Sequence, residues 1–98
     1  MIKHIVLYKF KDTIIKEVFE EILINFNECK NKLNGITSLQ FGKNVSLKKH
    51  LNHGFNYGLF MEFENEDVIK SYNNLDTHKK AQETMAQYQE DVLVFDIN

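Results

Sequence analysis

The opening stretch Ile2 to Phe10 carries apolar side chains in both of its alternating registers, which constrains the fold more than any other feature of the chain. Side chains of a strand alternate in direction, so Ile2, His4, Val6, Tyr8 and Phe10 share one face while Lys3, Ile5, Leu7, Lys9 and Lys11 take the other. A strand that is apolar at its middle on both sides cannot leave one side in water. Helices are expected over one face and a further layer, such as a second chain, over the other. His4 interrupts an apolar row, and a polar ring in such a place needs a partner.

The chain has 98 residues, enough for one domain spanning 1–98 with an adequate but small core. With 43% hydrophobic and 27% charged residues it reads as a globular protein without disordered tracts. Its apolar runs, such as Ile5 to Tyr8 and Val92 to Phe95, fall far short of the roughly 20 residues of a membrane-spanning helix, so no membrane partner is expected. The N-terminus enters its strand without the apolar core of a secretory leader, and Cys29 stands alone in a helical stripe as a packed thiol; a cytoplasmic location is the expectation. Every one of the twelve cations is a lysine, and the net charge is −2. Without arginine's planar fork, and with its one basic cluster (Lys43, Lys48, Lys49, His50) in an expected solvated loop, the chain lacks the footprint of a nucleic-acid binder.

Between Glu17 and Leu33 the apolar Val18, Phe19, Ile22, Leu23, Phe26, Cys29 and Leu33 recur at three and four, the spacing of an amphipathic helix. Asn34-Gly35 is expected to end it through the left-handed conformation that both residues tolerate. Strands are expected over Thr37 to Val45 and Phe55 to Phe63, joined by the polar loop Ser46 to Gly54. Asn65 followed by Glu66 and Asp67 marks a helix start that buries Val68, Ile69 and Tyr72. After a break at Asn73-Asn74, Asp76 or Thr77 can cap a further helix from His78 to about Gln89, and Val92 to Ile97 closes the chain as a strand. The order is β-α-β-β-α-β with the second helix broken, an α+β ferredoxin-like arrangement with a four-stranded antiparallel sheet. Its helices cover one face only. Ile5, Leu7 and Phe60 are apolar candidates for the open face, and a two-fold homodimer is the simplest way to cover it.

The segments His4 to Lys11, Gly42 to Val45, Gly54 to Tyr57, Met61 to Phe63, Tyr72 with His78, and Val94 to Asp96 carry a shared pattern. Together they resemble the stress-responsive dimeric A/B barrel family, which includes plant polyketide cyclases of the olivetolic acid type. The resemblance spans essentially the whole chain. It implies a dimeric α+β barrel in which two sheets face each other, with a small-molecule pocket between each sheet and its own helices. It further implies that His78 and Tyr72 correspond to the cyclase's acid–base pair, and that His4 matches a first-strand pocket histidine. The implied lining is His4, Val6, Tyr8, Ile22, Leu23, Phe26, Leu39, Tyr57 and Leu59, beside Tyr72 and His78. This chain departs from the cyclase at Tyr57, where that enzyme has a histidine, and at Asp76, where a proline is usual. Ala81, Gln82 and Gln89 replace aromatic or small pocket residues, so the cavity should be more polar and of another shape.

The residues themselves allow the same chemistry. A histidine exchanges protons near neutral pH, and a tyrosine hydroxyl relays a proton or holds a carbonyl oxygen, which suits proton abstraction beside a carbonyl. Equally, Tyr72 could be a core aromatic and His78 a satisfied helix-start residue. His50 and His53 stand three apart but lack a fixed third ligand, and no phosphate-cradling glycine loop is present, so neither metal nor cofactor is expected. Three functions remain: a pocket for a small apolar or carbonyl ligand, an acid–base cyclase or lyase, and a purely structural dimerisation domain.

Overall fold

A computed structural model describes residues 1–98. The elements follow in the order β1 (Ile2–Phe10), α1 (Lys16–Lys32), β2 (Ile36–Lys43), β3 (Tyr57–Phe63), α2 (Glu66–Asn73), α3 (Asp76–Ala86) and β4 (Gln89–Ile97). The four strands form one antiparallel sheet in the order β2-β3-β1-β4, a ferredoxin-like topology with the second helical segment split in two. None of the helices is long and apolar enough to cross a membrane.

Alternation decides the core. Val6, Tyr8 and Phe10 of β1 and Leu59, Met61 and Phe63 of β3 point to the helices and are buried, meeting Ile22, Phe26 and Cys29 of α1, Tyr72 of α2, and Ala81 and Met85 of α3. Each fully buried large side chain contributes about 1.5 to 3 kcal/mol. The Cys29 thiol is packed as expected, 3.0 Å from the Thr77 hydroxyl, and this contact ties α1 to α3. Register on the other face sets Ile5 opposite Phe60 and Phe95, and Leu7 opposite Leu93.

Element boundaries differ from the sequence reading for local reasons. β3 begins at Tyr57 rather than Phe55 because the Asn56 carboxamide does a strand's work: it accepts from the Phe10 amide and donates to the Phe10 carbonyl, both at 2.9 Å. The loop after β2 contains a 3-10 turn at Lys49–Leu51. Asn65 caps α2 by accepting from the Val68 amide. Leu75, not Asp76 or Thr77, occupies the N-cap of α3 without a side-chain bond, because the Thr77 hydroxyl is used against Cys29. β4 starts at Gln89 instead of Val92 and absorbs a register shift opposite Lys9 and Phe10.

The end of α1 corrects another expectation. Leu33 leaves the helix in extended conformation, and neither Asn34 nor Gly35 has a positive φ. Gly35 answers to space instead: a Cβ there would lie 2.4 Å from Val68 Cγ2, so its absence lets the start of α2 settle on the chain between α1 and β2.

Candidate functional site

β4 is an edge strand on which no helix packs closely, and the space between it, β1 and the α2–α3 segment remains open. The result is a cavity of about 320 Å³. Its sheet wall is His4, Val6 and Tyr8 of β1, Leu59 of β3, and Gln89, Val92, Val94 and Asp96 of β4. Its helical wall is Phe26 of α1, Ile69, Tyr72 and Asn73 of α2, and His78, Gln82 and Met85 of α3. Thus His4, Val6, Tyr8, Phe26, Leu59, Tyr72 and His78 come together around one space.

Ile22, Leu23, Leu39 and Tyr57 do not join them. The half of the layer between α1 and β2–β3 is filled by aromatics: Phe19 stacks on Tyr57 at 3.9 Å, and Phe41 meets Phe26 at 5.7 Å and Tyr8 at 6.1 Å. Such pairs add about 0.5 to 1.5 kcal/mol each beyond their burial. Ile22 is buried in the core and Leu39 is half-buried against it. Leu23 and Tyr57, with Phe19 and Phe41, line a separate and more open groove of about 340 Å³ between α1 and β2–β3.

His4 finds its hydrogen-bond partner on β4. Its Nδ1 lies 2.6 Å from Asp96 Oδ1, across the β1–β4 register in which the two residues are opposite. A carboxylate can only accept, so the imidazole carries a proton on Nδ1, and in the neutral ring Nε2 is then the acceptor. The ring meets Tyr72 edge-on at 6.2 Å and Phe63 at 5.6 Å. Tyr72 in turn lies 4.3 Å from the His78 ring, centroid to centroid.

Burial sets the protonation of the two helical groups. The Tyr72 phenol is pushed well above its ordinary pKa by burial, with smaller effects from Tyr8 and Cys29, so it remains a proton donor. His78 is held below the usual imidazole value, first by burial; a backbone hydrogen bond at Asn73 works against this and the nearby His4 reinforces it. His78 Nδ1 is buried without a hydrogen-bond partner in the chain. Such an orphan acceptor or donor is costly in a finished core and ordinary in a site that binds something.

The model of the Stress Responsive A/B Barrel Domain matches residues 2–98. The chain belongs to this family. A stress-response A/B barrel domain-containing protein, HS1, from Arabidopsis thaliana is 27% identical over 71 residues, covering 72% of this chain and 64% of that protein. Olivetolic acid cyclase from Cannabis sativa is 25% identical over 95 residues, covering 97% of this chain and 93% of the cyclase. Among solved structures, a dimeric protein of unknown function with a ferredoxin-like fold from Bacteroides fragilis matches with a TM-score of 0.73 and 27% identity, covering 99% of this chain and 94% of that one.

Within this A/B barrel domain the sequence reading missed Asp96 as the partner of His4, and the β4 side chains Val92 and Val94 as a cavity wall. The signal for the strand was present. Val92 to Phe95 is apolar in both registers, as β1 is, and on β4 those side chains stay exposed on both faces: Val94 at 57% and Phe95 at 56%.

Proposed function

We propose that this A/B barrel domain works as a homodimer and that each cavity binds a small uncharged carbonyl compound between the His4–Asp96 pair and the Tyr72–His78 pair. The single observation carrying this reading is the 2.6 Å bond from His4 Nδ1 to Asp96, which orients a free basic nitrogen on a cavity wall shared with a phenol that stays protonated. The convergence of His4, Tyr72, His78 and Asp96 on one space of about 320 Å³ supports a ligand pocket over a filled core, since small-molecule sites run from roughly 300 to 1,000 Å³.

The chemistry such a set allows is proton abstraction beside a carbonyl. His4 Nε2 takes the proton, Asp96 stabilises the imidazolium that forms, and the Tyr72 hydroxyl donates to the oxygen on which charge develops. His78, kept neutral by burial, offers its unpartnered Nδ1 to orient either the Tyr72 hydroxyl or the ligand. Similarity to olivetolic acid cyclase along nearly the whole chain favours an acid–base enzyme of this kind, a cyclase or lyase.

Dimerisation is supported by the apolar open face, where Ile5, Leu7 and Phe60 continue into Leu93, Phe95 and Ile97. An edge strand so exposed is an association surface unless it is covered.

Deuterium wash-in at the carbons flanking the carbonyl of 4-phenyl-2-butanone, followed by NMR in heavy water, tests the catalytic step. Wild-type protein should accelerate exchange over buffer, with His4→Ala and Tyr72→Phe each losing a factor of about 10² or more. Exchange no faster than in buffer would end the enzyme reading. Saturable binding of the ketone without exchange would favour a holding pocket instead.

A further inference from the structure

We infer that the cavity selects an uncharged carbonyl compound bearing a second hydrogen-bonding group, which the Gln82 carboxamide receives about one helical turn from His78. This rests on the carbonyl-site reading above. Three observations lead to it.

The first is the charge of the wall. The chain has twelve lysines, yet none lines the cavity, and Asp96 supplies its only carboxylate. His78 adds no positive charge at neutral pH because burial disfavours its protonated form. A carboxylate or phosphate entering here would lose its hydration and face a like charge without a counter-ion.

The second is the placement of Gln82. His78 and Gln82 stand four apart on α3, so their side chains lie on one face with Cβ atoms roughly 5 to 6 Å apart. The side-chain hydrogen bonds of α3 run from Thr77 to Cys29 and from Thr84 to the Lys80 carbonyl, and neither uses Gln82. Its carboxamide is therefore free to offer both a donor and an acceptor.

The third is what lies opposite. Val92 and Val94 face the cavity from β4 between Asp96 and Gln89, and this apolar stretch of the wall suits a short carbon framework. A ligand with polar groups at both ends and an apolar middle matches this sequence of surfaces. A purely apolar compound forgoes the hydrogen bond that Gln82 offers.

The test uses three aromatic aldehydes of one framework: 4-formylbenzamide, 4-formylbenzoate and benzaldehyde, titrated into the full chain by calorimetry or NMR. The amide should bind about tenfold or more tightly than either of the others, because only it satisfies the carboxamide without burying a charge. Gln82→Leu, a helix-compatible change at an exposed position, should bring the amide down to the level of benzaldehyde. Gln82→Lys should reverse the order of amide and benzoate. Equal binding of all three aldehydes to the wild type would overturn this inference and leave the carbonyl site standing. Binding of none of them would overturn both.

Discussion

Replacing Gly35 by alanine gives a sharp test of how the site is held, because it perturbs α2 at the end remote from Tyr72. The added Cβ would stand 2.4 Å from Val68 Cγ2, 2.9 Å from Cγ1 and 3.2 Å from Cβ. Rotating Val68 about χ1 moves the two methyls but not the Cβ, so side-chain adjustment alone leaves a contact inside normal packing distance. The start of α2 must move by several tenths of an ångström or more. Gly35 does not have a positive φ, so backbone strain adds nothing and the cost is that of overpacking, about 2 kcal/mol. In a domain of this size that lowers Tm by roughly 8 to 16 °C. Thermal unfolding by circular dichroism at fixed protein concentration measures it. Val68→Ala should cost little alone and restore about 1 kcal/mol or more to the Gly35→Ala chain, since it deletes the two closest atoms. Strict additivity of the two changes would refute the steric account. Because α2 carries Tyr72, Gly35→Ala should also weaken ligand binding, and Val68→Ala should recover it.

Other outcomes are expected from the same structure. His78 is held below its unfolded pKa, so the unfolded chain takes up a proton first; its contribution to stability is full above about pH 6.5 and is lost as pH falls from there through the lower folded value. His78→Gln should therefore flatten the fall in Tm between pH 7 and 5, and an unchanged slope would contradict the assignment. Phe95→Asp, on the exposed apolar face of β4, should weaken self-association by about 2 to 4 kcal/mol and give a monomer in light scattering at micromolar concentration; a persistent dimer would place the interface elsewhere. Phe41→Ala should cost about 3 kcal/mol in denaturant unfolding and open the space between α1 and the sheet, and a loss under about 1 kcal/mol would mean that this aromatic half is not tightly filled.

The strands and helices were legible because their apolar residues recur at two or at three and four, and the apolar residues in both registers of β1 pointed to a layer beyond the sheet. The cavity was legible only in part. Which side chains share a wall depends on register between segments far apart in sequence: His4 and Asp96 are 92 residues apart and become neighbours only when β1 pairs with β4. The exclusion of Ile22, Leu23, Leu39 and Tyr57 depends on how Phe19, Phe41 and Phe26 stack, a matter of packing that alternation does not encode. Gly35 shows the same divide. Its position at a helix end suggested a conformational need, whereas the contact that requires it lies on Val68, thirty-three positions on.

The proposed chemistry turns on the histidines of the cavity, and a histidine-selective proton–nitrogen correlation spectrum, recorded before and after adding benzaldehyde, tests it most directly. In the free protein His4 should carry a proton on Nδ1, and the aldehyde should shift His4 and His78 while the exposed His50 and His53 stay in place. A His4 protonated on Nε2 alone, or a titration that leaves His4 and His78 unmoved, would contradict it.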